Sequence, residues 1–320
     1  MEALDGERIL ITGATGLIGQ ALVRKAVKLG MNVLALVRNM NKAYQLFNDY
    51  ETVTLLQADM THLPLEDMNV SYIIHAAAET SSRAFGQEPV RILIDSLHGM
   101  ERVLEYGRLN RIKSLVFLSS MEVYGLQQTD EKIGELHNTI LDTMNPRSSY
   151  PESKRACEAL CTAYWEQFGV PAKVVRLTQT FGTGVQYDDG RVFAEFARCA
   201  IEKRDIILHT KGETCRCYLE LNDAVEAIFT VLTQGQSGEA YNAANEDTYC
   251  SIYDMACFVA DVFTHGHINV LVQEEDISKF GYAPRLHMNL DTRKLQSLGW
   301  QPQKGLKEMF SSMIESMCTS

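Results

Sequence analysis

Arg8-Ile9-Leu10-Ile11-Thr12-Gly13-Ala14-Thr15-Gly16-Leu17-Ile18-Gly19 is the stretch from which the architecture of the whole chain can be read. A short apolar run that ends at a glycine reads as a buried strand. Leu17, Ala21, Leu22, Ala26 and Leu29 then recur at helical spacing, and Gly30 suits the helix end. The glycines at 13, 16 and 19 therefore stand in a strand–turn–helix. Without Cβ atoms they let the backbone turn tightly and approach a pyrophosphate, while the N–H groups of the helix N-terminus face the anion. The spacing is G-x-x-G-x-x-G rather than G-x-G-x-x-G. The turn predicts a dinucleotide site made by Gly13, Thr15, Gly16, Leu17, Ile18 and Gly19. The plainer alternative is a helix that only packs tightly on its sheet.

Working outward, apolar strand-like runs recur at 33–37, 53–57, 72–75, 115–118 and 172–177, with helical stretches at 89–108 and 150–168. Repeated strand–helix–strand units imply a parallel sheet covered on both faces. The second half is less regular. Residues 189–203, 222–234, 251–263, 290–298 and 306–317 read as helices, and 206–209 and 217–221 as extended. The predicted class is α/β: a Rossmann-type doubly wound parallel sheet with a smaller C-terminal α/β substrate lobe. At 320 residues the chain suits about two units. Residues 1–180, with 217–245 returning to them, form the dinucleotide-binding domain in this reading, and 181–216 and 246–320 form the substrate lobe.

Composition narrows the partners. The chain carries 30 Lys and Arg against 41 Asp and Glu, a net charge of −11, so it lacks the basic surface that a phosphate backbone requires. No nucleic-acid partner is expected. No apolar run reaches the roughly 18 residues of a spanning helix, and the acidic N-terminus has no signal-peptide pattern. A cytoplasmic protein without a membrane partner is expected, its eight cysteines reduced thiols. His265-Gly266-His267 lacks a third ligand, and His62, His98 and His137 are isolated, so no metal site is expected.

The dinucleotide's identity turns on Leu36-Val37-Arg38-Asn39. A carboxylate there would accept from the adenosine ribose hydroxyls, and none is present. Arg38 could meet a 2′-phosphate instead, which favours NADP over NAD. The alternative is an arginine stacked on adenine, compatible with either cofactor. Asp59, followed by Met60, could accept from the adenine amino group or be a surface carboxylate.

Tyr150 and Lys154 lie four apart at a helix start and project from one face. A nearby ammonium and a positive nicotinamide would lower the phenol's pKa, letting Tyr150 take a proton from a substrate hydroxyl as hydride leaves the same carbon. Lys154 would also hold the nicotinamide ribose. Ser119-Ser120-Met121-Glu122-Val123-Tyr124-Gly125 follows the strand at 115–118, where open α/β sheets place ligands. Ser120 could bond the reacting oxygen, and Glu122 could be a base or an ordinary loop carboxylate. Tyr124 reads as packing or a substrate contact.

These stretches, with His75-Ala76-Ala77-Ala78, resemble extended short-chain dehydrogenases/reductases, and more narrowly their nucleotide-sugar epimerase/dehydratase branch. Pro146-Arg147-Ser148-Ser149-Tyr150, Lys154-Arg155, Tyr187-Asp188-Asp189-Gly190-Arg191-Val192 and Leu298-Gly299-Trp300-Gln301-Pro302 are most similar to the pattern of UDP-glucuronate decarboxylases. The resemblance implies NAD or NADP, a nucleotide-linked sugar, and Ser120, Tyr150 and Lys154 as a catalytic triad beside an acid/base at Glu122. It also implies cofactor contacts at Ala76, Ala77 and Ala78. Thr80, Gln179, Arg191, Arg216 and Arg285 would be substrate contacts, the arginines on phosphates or uridine. A homodimer through the helices at 89–108 and 150–168 is implied as well. The chain departs from the branch in five places. Met121 precedes Glu122 where dehydratases show an acid. Ser96 and Gln179 stand where asparagines are usual. No proline follows Gly182, and Val37 replaces the ribose-binding acid. These departures suggest a divergent substrate or a ligand that is not UDP-linked.

Three readings follow. The enzyme removes hydride from a sugar carbon transiently and returns it, in epimerisation or decarboxylation. It is an NADPH-dependent reductase of a keto group on a nucleotide-linked sugar or polyol, which Arg38 favours. Or it is a non-catalytic NADP-binding regulator, against which the Ser120/Tyr150/Lys154 set argues. Glu122 favours the first, because a base that moves a proton beside a transient ketone is superfluous for simple reduction.

Overall fold

The computed structural model describes residues 4–79, 82–275 and 285–319. Its first half alternates β1 (Arg8–Thr12), α1 (Leu17–Lys28), β2 (Asn32–Val37), α2 (Met40–Phe47), β3 (Val53–Gln57), β4 (Tyr72–His75), α3 (Ser82–Gln87), α4 (Pro89–Asn110), β5 (Ser114–Ser120), α5 (Ser149–Phe168) and β6 (Ala172–Leu177). Then come β7 (Gln179–Phe181), α6 (Val192–Glu202), β8 (Ile206–Leu208), β9 (Cys215–Glu220), α7 (Leu221–Gln234), β10 (Ala240–Ala243) and β11 (Asn245–Ser251). The chain continues with α8 (Ile252–Thr264), β12 (Val270–Val272), β13 (His287–Met288), α9 (Arg293–Gln296) and α10 (Leu306–Thr319).

Seven strands form one sheet in the order β10-β6-β5-β4-β1-β2-β3, and every pair in it is parallel. The predicted doubly wound sheet is present. Alternation along β1 explains its two covered faces. Ile9 and Ile11 join a core with Leu22, Ala26, Val225 and Ile228, while Leu10 joins Val103, Tyr106, Leu115 and Phe117 on the opposite face. Burial of both faces is what makes these strands continuous apolar runs. A second core gathers Phe181, Phe193, Phe196, Tyr218, Met255 and Phe310, with Phe181 stacked on Phe193 at 4.4 Å. Beside it, β9 pairs with β7, β11 and β13, and β8 pairs with β12.

Several boundaries differ from the sequence reading. The strand expected at 217–221 runs from Cys215 to Glu220, because Glu220 caps α7 by accepting from the amides of Asn222 and Asp223. The helix expected over 290–298 shrinks to α9. Leu290 bridges Ile133 instead, and the Thr292 amide and hydroxyl both donate to Glu246. The helix expected from 189 starts at Val192, since Asp189 holds the Arg191 amide at 2.9 Å.

A buried polar network stiffens the ends of β5 and β6. Arg176 makes a forked pair with Glu158 on α5 at 2.7 Å and also donates to the Tyr124 hydroxyl and the Glu135 carbonyl. Ser119 donates to Glu158, and Tyr124 donates to Asn242 on β10. Removing one member of a mostly buried pair strands the other charge. Arg176→Met should therefore lower stability in urea unfolding by about 3 kcal/mol, and the double change Arg176→Met/Glu158→Met should recover part of it. A single-mutant loss below about 1 kcal/mol would show that the pair does not hold this region.

Candidate active site

The strand order reverses between β1 and β4, so their carboxyl ends splay into a crevice, the usual ligand position in such sheets. The two strand ends are stitched together. Thr12 Oγ1 bonds His75 Nδ1 at 2.8 Å and accepts from the Ala77 amide at 3.1 Å. Burial, assisted by the Lys154 charge, pulls the His75 imidazole down to about 3, so the ring is a neutral strut.

The three motif glycines have different reasons to be glycine. Gly13 has φ +68° in the left-handed region, and a Cβ there would stand 2.8 Å from the Ala76 carbonyl carbon. A Cβ on Gly19 would lie 2.1 Å from the Gly13 oxygen. Gly16 differs: its φ is −79°, and a Cβ would meet only the Gly13 oxygen, at 3.3 Å. It is also the N-cap of α1 and offers no side-chain acceptor to that helix's first amides. A bare helix N-terminus behind a glycine that the protein's own packing does not require fits a dinucleotide's phosphates. Thr15, Leu17 and Ile18 surround it half-buried.

Around the adenosine end, Arg38 is exposed after β2. Asp59 Oδ1 caps the 3-10 turn Met60–His62 by accepting from the Thr61 amide at 3.0 Å. Against a burial effect that raises it, the Thr61 bonds and the Arg38 charge hold the Asp59 carboxyl below its usual range. Met60 turns its side chain toward α4, where a Cβ on Gly99 would come within 2.7 Å of it. Ala76, Ala77 and Ala78 are half-buried after β4.

At the end of β5, Ser120 Oγ accepts from the Glu122 amide at 3.2 Å and faces the Tyr150 phenol, whose pKa it lowers. Tyr150 stands in the first turn of α5, and Lys154 lies one turn on, its Nζ 5.8 Å from the phenol ring centroid. The structure thus brings Ser120, Tyr150 and Lys154 together. The sequence reading lowers the phenol's pKa through the ammonium and a nicotinamide together; the protein's own groups act in the other direction. Burial, then the Glu122 charge, pushes the Tyr150 phenol well up, and the Ser120 hydroxyl only partly offsets this. Lys154 donates to the Leu118 carbonyl at 2.7 Å, and burial lowers it to about 8. The protein alone therefore keeps the phenol protonated.

Glu122 is half-buried. Burial pushes its carboxyl up, and the Arg147 and Arg216 charges pull it back. Arg147 is 3.9 Å away. Among the described residues, Arg147 Nη1 and Arg216 Nε are buried without a hydrogen-bond partner, while Arg216 Nη1 donates to Gln179 at 3.3 Å. Two guanidinium groups around one carboxylate leave surplus positive charge and open donors. Arg191 forks onto Asp189, and Arg285 is exposed beside Glu213, so each of these has a carboxylate of its own. Thr80 lies outside the described residues.

Sequence reasoning missed two contacts. Phe85 on α3 stacks on Tyr150, with ring centroids 4.2 Å apart and planes 9° from parallel, and Arg147 lies over the Phe85 ring at 5.7 Å. Arg147 sits three residues before Tyr150, inside a quoted motif, and its position was the available signal. Phe85 stands 65 residues before Tyr150 in the chain and left none.

A family model described as the NAD dependent epimerase/dehydratase family matches residues 9–244. UDP-glucuronic acid decarboxylase 1 of Xenopus tropicalis is 27% identical over 316 residues, covering 97% of this chain and 72% of that protein. The dTDP-D-glucose 4,6-dehydratase of Homo sapiens is 23% identical, covering 97% and 89%. Among solved structures, the UDP-glucose 4-epimerase of Thermotoga maritima with UDP-glucose superposes with a TM-score of 0.84 at 20% identity, covering 98% of this chain and 99% of that one. The dTDP-glucose 4,6-dehydratase of Bacillus anthracis with NAD gives 0.80 at 18%, covering 98% and 97%.

Gly16 and Gly19 separate binding from folding. Gly16→Ala should melt near the wild-type temperature yet lose most NAD affinity in calorimetric titration. Gly19→Ala should lower the melting temperature, because its Cβ would strike backbone. Wild-type NAD affinity in Gly16→Ala would contradict the phosphate cradle.

Proposed function

The chain belongs to the NAD dependent epimerase/dehydratase family, and we propose that it modifies a nucleotide-linked sugar by transient oxidation of one sugar carbon. The observation that carries this reading is the convergence of Tyr150 and Ser120, with Lys154 one turn away and Glu122 alongside. Gly13, Gly16 and the first amides of α1 would hold the cofactor's phosphates. When bound, NAD supplies a positive nicotinamide that can accept and return a hydride.

The side chains then divide the proton work. Tyr150 takes the proton of the sugar hydroxyl, and Ser120 bonds the same oxygen. Lys154, at about 8, stays largely charged at neutral pH and favours the phenolate once the nicotinamide charge is added. Glu122, raised by burial, suits proton exchange at the carbon beside the transient ketone. Met121 in place of an acid disfavours dehydration, leaving epimerisation or decarboxylation. The open donors of Arg147 and Arg216 suit an anionic sugar or its diphosphate. No helix among the described residues is long and apolar enough to cross a membrane. Helices α4 and α5 pack on each other and expose Val90, Ile94 and Trp165, a face that a second copy of the chain would cover.

Tyr150→Phe should cut turnover of nucleotide sugars about 100-fold to 10,000-fold while cofactor affinity survives. Activity within a few-fold of wild type would rule Tyr150 out as the base. Arg38 favours a second reading, net reduction with NADPH, and offers its guanidinium to a 2′-phosphate. Arg38→Ala should weaken NADPH binding about tenfold or more and NADH binding far less. Equal losses would refute the 2′-phosphate contact, and stoichiometric NADPH consumption with a keto-sugar nucleotide would replace the first reading with the second.

A further inference from the structure

We propose that Asp130, Cys215 and His287 form a binding site for a borderline-soft divalent cation, Zn²⁺ above all. One donor atom from each of these residues lies within 4.8 Å of the other two. They come from three distant segments: the loop after the 3-10 turn Met121–Tyr124, the start of β9, and β13. Strand register fixes two of them, since His287 and Cys215 are direct partners in the parallel β9–β13 pair, so their side chains stand on one face. The Cys215 amide locks that register by donating to the Leu286 carbonyl at 2.9 Å, and the His287 amide ties β13 to the loop that carries Asp130 by donating to the Gln127 carbonyl at 2.8 Å.

The third donor is already turned inward. Asp130 Oδ1 bonds His287 Nδ1 at 2.7 Å and accepts from the Tyr249 hydroxyl, while Asn289 Nδ2 holds the Asp130 carbonyl at 2.9 Å. Such contacts around a ligand carboxylate are what outer-shell groups supply at metal sites. His287 is buried, Cys215 half-buried and Asp130 exposed, which gives the cluster a rigid floor and a solvent-facing entrance.

The donor set selects the ion. A thiolate and an imidazole reject Mg²⁺ and Ca²⁺, which require oxygen shells, whereas sulfur, nitrogen and oxygen together suit tetrahedral Zn²⁺ with water in the fourth position. Binding displaces the Cys215 thiol proton to solvent and replaces the His287–Asp130 hydrogen bond with bonds from both residues to the ion. Arg216 follows Cys215 directly, so the ion would clamp the strand that carries an arginine beside Glu122. The sequence reading expected no metal because the ligands are separated by whole elements and form no spacing motif.

Titration of the metal-stripped full chain with Co²⁺ tests the site. One Co²⁺ per chain should bind with a thiolate-to-cobalt absorption band that Zn²⁺ abolishes on displacement. Cys215→Ser should remove the band. Asp130→Asn, whose amide oxygen can still accept from Tyr249 and His287, should abolish tight binding while the metal-free chain melts within a few degrees of wild type. Tyr249→Phe should weaken binding about tenfold. No thiolate band in the wild type, or equal affinity in Asp130→Asn and wild type, would overturn the proposal.

Discussion

The carboxyl ends of β1, β4 and β5 open onto one crevice because the strand order reverses between β1 and β4. Everything chemical in the molecule depends on keeping that reversal tight. Thr12 and His75 bond across it, and Gly13 comes so close to Ala76 that no side chain fits between them. Gly19 then seats α1 against the same turn. Backbone contacts thus fix the helix N-terminus to a fraction of an ångström, the precision that phosphate recognition by backbone N–H groups requires.

The second layer of the design is electrostatic. Ser120, Tyr150 and Lys154 converge in a place dry enough to keep the phenol protonated and to lower the lysine to about 8. Such opposed shifts mark titratable groups gathered out of water, and clefts where they gather tend to be reactive. Glu122 raises the phenol further while being held by Arg147 and Arg216. A positive ring brought beside Tyr150 would tip this balance, so in the proposed function Tyr150 becomes a base only when the nicotinamide is in place.

How much of this the sequence disclosed depends on range. The strand, glycine turn and helix at 8–28 were legible because periodicity and glycine chemistry are local. Tyr150, Lys154 and Ser120 were legible as spacing and as a position after a strand. Short strands such as β7 and β13 were not, because two or three residues carry no period. The helix expected over 290–298 failed because Glu246 captures Thr292 and Ile133 captures Leu290, partners that no window contains. Phe85 stacked on Tyr150 and Arg147 beside Glu122 are likewise products of folding. That the protein's own groups raise the phenol's pKa was not legible from spacing, because the ammonium turns to the Leu118 carbonyl and burial dominates.

The most direct test is a spectroscopic titration of tyrosinate, taken as the difference between wild-type protein and Tyr150→Phe, with and without saturating NAD⁺. The charge balance described above predicts that the Tyr150 phenolate forms at a pH lower by about one unit or more once NAD⁺ is bound. An identical titration in both conditions would contradict it, because the phenol would then lie beyond reach of the nicotinamide charge.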